Sequence, residues 1–504
     1  MKRHLLALGT ICGLLATAPH LSSSILTWLR SVPQTSKESD LDARIARIEN
    51  GLVPPVIIKG QPIPAMKIAD RMAHYKVPGA SVAFFDHGQI AWTRTYGFAD
   101  VATKKPVTTE TLFQAASISK PVSALAALRL VQDGKLSLDE TVNTKLRSWT
   151  VSDNEFTKDQ SVTLRRILSH SAGLTVHGFP GYAAWESLPT VVQILNGEKP
   201  ANTPPIRVDA VPGTIWRYSG GGYVIMQLLL TEITGKPYPL ILHDLVLQPA
   251  GMTSSTYEQP LPKNLWSSAA TPYRANGEPV KGGWHTYPEM AAAGLWTTPS
   301  DLARLAIEVQ KEYAGTSTKI LSQEMMHQML TRQKDDWGLG FELESPGYTQ
   351  RFGHGGSNEG FRCDLEAYIG STQGFVIMTN SDDGDNLATE FLGAVAREYN
   401  WPDFQPKERT VAKIDPVILR NYAGIYEAPG LSRITITAED GKLYLRVSEF
   451  GPMPVDLLPE SETSFFSQSP GINLPFTFEK DTKGTVSKLI VIVGGQTFEA
   501  KKIE

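Results

Sequence analysis

The sequence lacks the features that mark several large classes of protein. Only two of its 504 residues are cysteine, and Cys12 lies in an N-terminal apolar run, so removal of that run leaves Cys363 without a disulfide partner. The net charge of −4 argues against nucleic acid as a partner, because neutralising phosphates requires a basic surface. The sequence has no His-Glu-x-x-His motif, no internal repeat and no low-complexity tract. We therefore expect no nucleic acid partner, no metal and no cofactor.

The N-terminus has the pattern of an export signal. The basic segment Lys2-Arg3-His4 precedes the apolar run Leu5–Ala18, which is shorter than the roughly 20 residues of a membrane-spanning helix. Residues 16–18 and Ser22–Ser24 are alternative cleavage positions. We predict a signal peptide over residues 1–24 and an exported protein, periplasmic or extracellular. An uncleaved signal that anchors the chain at its N-terminus to the membrane stays open.

The remaining chain changes its composition twice. Residues 25–66 are polar and contain prolines, which indicates a lead-in segment, and residues 67–400 form one long domain. The segment 401–412 has the composition of a linker. Residues 413–504 contain seven short β-patterned runs about ten residues apart, which predict a small barrel or sandwich. The runs are Tyr422–Glu427, Ser432–Thr437, Lys442–Val447, Thr463–Ser467, Leu474–Glu479, Lys488–Val493 and Thr497–Lys501.

The order of elements within residues 67–400 indicates an α+β fold. A hairpin is predicted over residues 82–94, and apolar residues at helical spacing follow over Ser117–Gln132. Strand-like runs return only at Phe361–Ile369 and Gly374–Thr379. We expect an antiparallel sheet built from both ends of the domain, with helices inserted between them.

The strongest chemical signal is Ser117-Ile-Ser-Lys120 at the start of the predicted helix. Residues three apart share a helix face, so the Lys120 amine can approach the Ser117 hydroxyl. A serine becomes nucleophilic when a neighbouring base removes its proton, and burial lowers the pKa of a lysine towards that task. The sequence contains no other Ser-x-x-Lys motif. A capped surface helix is the alternative interpretation of this motif taken by itself.

A second motif, Tyr218-Ser219-Gly220, is followed by two further glycines. Tyr218 could pass a proton between the serine and a leaving group if nearby cations lower its pKa. The glycines would let the backbone approach a ligand closely. A loop anchored by buried tyrosines is the alternative.

A third motif, His354-Gly355-Gly356-Ser357, leads into the predicted strand at Phe361. Glycines at the rim of a sheet allow a substrate backbone to lie alongside, and the histidine could supply a positive or polar contact. An ordinary glycine-rich turn is the alternative for this segment alone.

In this order and at these distances, the three motifs resemble those of the serine β-lactamase and penicillin-binding protein family. The resemblance is strongest to its branch of class C β-lactamases, DD-carboxypeptidases and D-aminopeptidases, and it covers about residues 65–400. It implies an acyl-enzyme at Ser117, with Lys120 as base and Tyr218 as proton carrier. The backbone amides of Ser117 and Ser357 would hold the oxyanion. The remaining motif residues would contact the substrate; these are Ser219, Gly220, His354, Gly355 and Gly356.

Two residues depart from the family pattern. Gly220 stands where the family usually has an asparagine that holds a substrate amide, and His354 replaces the lysine of class C β-lactamases. The first departure argues against efficient recognition of a β-lactam or a peptide amide. The second favours a peptidase or esterase over a true β-lactamase, which stays an alternative. The C-terminal segment resembles the lipocalin-like barrel found in some peptidase members.

Other classes of function agree less well with the sequence. Ser169–Gly173 nearly fits the nucleophile elbow of an α/β-hydrolase, but its first residue is not glycine and the preceding segment is helical in pattern. A non-catalytic binder of cell-wall fragments is the other alternative, although it would not need both Ser117 and Lys120. We expect a small-molecule or peptide substrate, and the sequence leaves the oligomeric state open.

Overall fold

The computed structural model describes residues 34–344, 350–428, 433–447, 454–468, 475–493 and 496–503. The predicted signal peptide, residues 1–24, lies outside the described residues. Within the described ranges, no helix is both long and apolar enough to cross a membrane. The chain divides into two units, residues 1–47 and 48–504.

Thirteen α-helices occur in the part of the chain that the structure describes. In chain order they are α1 (Gln34–Glu49), α2 (Ile68–His74), α3 (Ser119–Gln132), α4 (Leu164–Leu168), α5 (Val191–Asn196), α6 (Gly220–Thr234), α7 (Tyr238–Leu242), α8 (Gln248–Ala250), α9 (Met290–Ala293), α10 (Pro299–Tyr313), α11 (Gln323–Met329), α12 (Gly384–Glu398) and α13 (Pro416–Leu419).

The strands before the C-terminal region are β1 (Val56–Ile58), β2 (Gly79–Asp86), β3 (Gln89–Asp100), β4 (Lys105–Pro106), β5 (Phe113–Gln114), β6 (Trp296–Thr297), β7 (Glu342–Glu344), β8 (Arg351–Asn358), β9 (Phe361–Tyr368), β10 (Gly374–Thr379) and β11 (Lys407–Arg409). The main sheet has seven antiparallel strands in the order β4-β3-β2-β10-β9-β8-β7. Its strands come from residues 79–106 and 342–379, so the prediction of a sheet built from both ends of the domain is confirmed.

Helices cover both faces of this sheet. Helix α10 packs on β2 and β10, and α12 packs on β9 and β10. Because both faces are covered, the first seven residues of β2 are all buried, instead of alternating between buried and exposed positions. Phe84 stacks on Tyr399 just after α12, while Phe85 joins the core on the other side. The inserted helices α3 and α6 are buried along most of their lengths, which places the largest core between the sheet and the helical region.

The C-terminal region is a closed barrel of eight strands. They are β12 (Gly424–Glu427), β13 (Ile434–Glu439), β14 (Lys442–Arg446), β15 (Val455–Pro459), β16 (Ser464–Phe466), β17 (Phe476–Lys480), β18 (Val486–Val493) and β19 (Gln496–Lys502). Neighbouring strands are antiparallel, and β12 pairs with β19 to close the barrel. Its interior is filled by apolar and aromatic side chains, including Tyr422, Phe465 and Phe478. The sequence predicted seven of these strands and missed β15.

The segments predicted as lead-in and linker contain more structure than the sequence indicated. The first contains α1 and β1, and β1 pairs in parallel with β11 from the second. Trp401 is buried at 4% exposure and packs against Phe84 and Tyr368. Strands of three residues are too short to give a periodic signal, so their pairing could not be predicted from composition.

Candidate active site

Ser117 lies in a tight turn immediately before α3. Residues Ala116–Ile118 form one turn of 3-10 helix, and α3 continues from Ser119. Ala116 has a φ of 49°, a strained conformation for a residue with a side chain. Such strain is common where the surrounding structure fixes a reactive residue. The turn leaves the Ser117 side chain partly exposed at the start of a buried helix.

Lys120 lies within hydrogen-bonding distance of Ser117. The Lys120 Nζ donates to the Ser117 Oγ at 3.0 Å and to the carbonyl oxygen of Ala292 at 2.9 Å. The lysine is 2% exposed, and this burial lowers the pKa of its amine to about 7. In the part of the chain that the structure describes, no carboxylate forms an ion pair with Lys120. A substantial fraction of the amine is therefore neutral near pH 7 and can accept a proton.

Tyr218 lies next to this pair. The Lys120 Nζ is 4.8 Å from the centre of the Tyr218 ring, and the phenol interacts with the Ser117 hydroxyl. Burial raises the pKa of Tyr218 above its usual value. The condition stated for its proton transfer, a pKa lowered by nearby cations, is therefore not met, because desolvation dominates. Tyr218 is a neutral phenol that can donate a proton.

The His170 ring packs against the Tyr218 ring. The sequence analysis did not predict this contact. The His170 ring stacks on the Tyr218 ring with 4.2 Å between centroids, and its Nδ1 accepts the backbone N–H of Ser219 at 3.1 Å. Trp337 closes the other side at 4.7 Å from His170. Burial lowers the pKa of His170 far below its usual value, and the Lys120 charge lowers this pKa further. His170 is therefore neutral, and it orients the tyrosine.

The glycines after Tyr218 pack against another segment of the protein. Ser219 caps helix α6 by accepting the N–H of Gly222, and Gly220 forms the first residue of that helix. A Cβ at Gly220 would lie 3.0 Å from the His177 carbonyl oxygen and 3.0 Å from the Phe179 ring. The protein's own backbone thus occupies the space that the sequence analysis assigned to substrate.

His354 is buried and neutral. It is 5% exposed, and its Nδ1 lies 2.6 Å from the Gly355 carbonyl oxygen. Burial, with a smaller effect of the Lys120 charge, lowers the pKa of His354 to about 3. Of the two contacts considered for this histidine, positive or polar, the positive one is therefore unavailable at neutral pH, and His354 is a neutral imidazole.

Strand β8 presents a free edge to the site at Gly355 and Ser357. Asn358 and Phe361 flank a two-residue turn, so hydrogen-bonded pairs with β9 alternate from that point. The peptide groups of Ser357 and Gly355 accordingly point away from β9. Among the described residues, strand β7 pairs only with Arg351–Gly353, and both Ser357 and Gly355 are exposed.

The neighbouring Gly356 serves packing rather than substrate contact. A Cβ there would overlap the carbonyl oxygen of Ala115 and the sulfur of Cys363. The Cys363 thiol donates to the same Ala115 carbonyl at 3.1 Å. Gly356 therefore allows β8 to lie directly against the segment that leads into Ser117.

The chain is similar to known proteins in sequence and in fold. Residues 65–396 match the beta-lactamase family model, and residues 408–501 match a domain of unknown function, DUF3471. The chain belongs to the beta-lactamase family, and it is a serine hydrolase.

Individual relatives share moderate sequence identity with the chain. Penicillin-binding protein 4* of Bacillus subtilis (strain 168) is 24% identical over 426 residues, which cover 78% of this chain and 89% of the relative. Esterase EstB of Burkholderia gladioli is 30% identical over 224 residues, which cover 41% of this chain and 53% of the esterase.

Solved structures share the fold. The octameric penicillin-binding protein homologue from Pyrococcus abyssi is 22% identical and superposes with a TM-score of 0.59. The superposition covers 86% of this chain and 98% of that structure.

Proposed function

We propose that the protein hydrolyses peptide or ester carbonyls through an acyl-enzyme formed on Ser117. The observation that carries this proposal is the 3.0 Å contact between the Ser117 Oγ and the amine of the buried Lys120. A buried amine without a carboxylate partner has little other structural use, because burying an unpaired charge costs free energy.

The first half of the proposed reaction is acylation. Neutral Lys120 takes the Ser117 hydroxyl proton as the Oγ attacks the carbonyl carbon. The backbone N–H groups of Ser117 and Ser357 stabilise the negative oxygen that develops. Tyr218 gives its proton to the leaving group and recovers one from the protonated Lys120.

Hydrolysis of the acyl-enzyme follows the same proton path in reverse. A water molecule gives a proton to Tyr218 as Tyr218 passes its own proton to neutral Lys120, and the water oxygen attacks the acyl carbon. The protonated Lys120 then returns a proton to the Ser117 oxygen as that oxygen leaves. No step in this scheme needs a metal or an organic cofactor.

Two departures from the family pattern support activated esters over β-lactams as substrates. Gly220 has no side chain, and His354 is neutral, so the site lacks both the amide and the cation found in class C β-lactamases. The relatives include penicillin-binding proteins and an esterase by name, which is consistent with this choice.

The test is hydrolysis of a p-nitrophenyl ester, a D-Ala-D-Ala peptide and a penicillin by the wild type and by Ser117→Ala. We expect the ester or the peptide to have the highest kcat/KM, and Ser117→Ala to lose turnover of all three. Ser171→Ala is the matched control, because Ser171 lies in the rejected elbow motif, and it should retain activity. Penicillin as the best substrate would contradict the proposed preference, and activity in Ser117→Ala would contradict the mechanism.

We also infer that the protein is exported and acts in the periplasm or outside the cell. The basic and apolar N-terminal pattern supports this inference, and a substrate related to cell-wall peptides would be found there. Cell fractionation with and without residues 1–24 tests it. Cytoplasmic location of the full chain would contradict the inference.

A further inference from the structure

The segment Leu174–Phe179 packs directly on the glycines that begin helix α6. The N–H of Gly220 donates to the His177 carbonyl at 2.9 Å, and the N–H of Gly221 donates to the Val176 carbonyl at 3.0 Å. A Cβ at Gly221 would lie 2.9 Å from the carbonyl oxygen of Thr175. Only glycine lets the two backbones approach this closely, so this backbone contact explains the run of glycines.

The segment Leu174–Phe179 has a strained backbone at Val176. Val176 has a φ of 63°, and a β-branched residue in this region is an outlier. The hydroxyl of Ser219 donates to the carbonyl oxygen of Thr175 at 2.8 Å, which helps to fix the strained residue. Backbone strain that the surroundings enforce in this way is found mostly at functional sites.

The far end of the segment is fixed as well. Tyr182 and Thr286 exchange backbone hydrogen bonds of 2.9 and 2.8 Å, and the His285 ring contacts the Pro180 carbonyl at 2.8 Å. Hydrogen bonds therefore hold the backbone of residues 174–182 on both sides of His177, and this restricts the positions that its side chain can take.

His177 is the side chain that this segment presents to the active site. Its ring lies 4.8 Å from the Tyr218 ring, and its residue is exposed. Partial burial and the Lys120 charge lower its pKa, so the imidazole is neutral at pH 7 with one donor and one acceptor. Within the described residues, its side chain makes no hydrogen bond.

We propose that His177 takes over the contact that the family's asparagine makes from position 220. Its imidazole N–H donates to the amide carbonyl of an acylamino group next to the scissile carbonyl, as in an N-acylated amino-acid ester or peptide. The proposal rests on the proposed function, because it concerns a substrate bound at Ser117. It explains how a chain without that asparagine can recognise an amide.

Two esters with the same leaving group test this contact. The p-nitrophenyl ester of N-acetylglycine has the acylamino group, and p-nitrophenyl pentanoate has the same chain length without it. We expect His177→Ala to lower kcat/KM about 10-fold or more for the N-acetylglycine ester, and to change it much less for the pentanoate. His177→Gln retains an N–H donor and should recover part of the loss.

Variants of the glycines that begin α6 provide a second, independent test of the His177 contact. Gly221→Ala forces the Thr175 carbonyl away and should produce the same selective loss as His177→Ala. Gly222→Ala is the matched control, because a Cβ there meets only the side chains of Leu174 and Ile167, at 3.3 and 3.5 Å. It should leave the ratio of the two esters unchanged.

The outcomes separate this proposal from the proposed function. An equal loss on both esters in His177→Ala, or no loss on either, overturns the substrate contact. Activity of Ser117→Ala on either ester overturns the proposed function, whatever the ratio is. A selective loss in His177→Ala together with an inactive Ser117→Ala supports both.

Discussion

At the level of single residues, the proposed chemistry depends on the environment of the Lys120 amine. Burial lowers the pKa of Lys120 to about 7, and only the neutral amine can accept the Ser117 proton. We therefore expect the acylation rate to rise with pH up to about 7 and then to level off. Stopped-flow measurement of the first turnover of an aryl ester between pH 5 and 9 checks this.

The matched variant for this pH dependence is Lys120→Met, which keeps an unbranched side chain without the amine. It should slow acylation by about 10²-fold or more, and the rise near pH 7 should disappear. A rise of unchanged position and amplitude in Lys120→Met would assign it to another group.

We expect the contribution of Tyr218 to kcat to be larger for substrates with poorer leaving groups. As a neutral phenol it gives a proton to that group, which an amide needs and p-nitrophenolate does not. Tyr218→Phe should therefore lower kcat by about 10²-fold or more for a peptide and by much less for a p-nitrophenyl ester. An equal loss on both substrates would mean that Tyr218 acts on another step.

The sequence allowed the reactive groups to be predicted, but not their protonation or their neighbours. Spacing places Lys120 near Ser117, because residues three apart on a helix share a face. The neutral state of His354 and the high pKa of Tyr218 arise from burial by segments distant in sequence. The occupation of the space at Gly220 by Phe179 is likewise a tertiary contact without a local signal.

At the level of elements, helix α3 depends on a close approach by the turn before β7. Gly340 has a φ of 112°, and a Cβ there would lie 2.7 Å from the Cβ of Ala124 and 3.3 Å from the Cα of Pro121. Gly340→Ala should therefore destabilise the protein by about 2–4 kcal/mol through backbone strain and overpacking. Urea denaturation measures the free energy of unfolding.

Gly134 provides the control for that experiment. It follows the C-terminus of α3 with a φ of 70°, and no atom lies within 4 Å of a Cβ placed there. Gly134→Ala should cost only the conformational term, about 1–2 kcal/mol. Equal costs for the two variants would show that the packing of Gly340 on α3 contributes nothing.

The long elements were predictable because their patterns are long. The hairpin of β2 and β3 and the helix α3 follow from the apolar periodicity and the turn residues. The β1–β11 pair was missed because each strand has three residues, and β15 was missed because its pattern is weak.

At the level of the whole molecule, the barrel packs on strand β1 of the segment before the catalytic domain through a small apolar cluster. Phe466 of β16 is 2% exposed and packs with Val56 and Ile58 of β1. Phe466→Ala should remove about 3 kcal/mol of stability from this contact. We expect calorimetry to show an additional or earlier transition.

Hydrolysis of a small ester should be nearly unchanged in Phe466→Ala, because the cluster contains none of the residues of the proposed active site. A loss of ester hydrolysis in a folded Phe466→Ala protein would show instead that the barrel controls the active site.

The central claim, an acyl-enzyme on Ser117, is tested most directly by mass spectrometry of acid-quenched protein. The protein is mixed briefly with p-nitrophenyl acetate, quenched, weighed intact and digested to locate the acetyl group. The account predicts one acetyl group in the wild type and in Ser171→Ala, located on the peptide containing Ser117, and none in Ser117→Ala. An acetyl group that persists in Ser117→Ala at the wild-type level, or that lies on another serine, would contradict it.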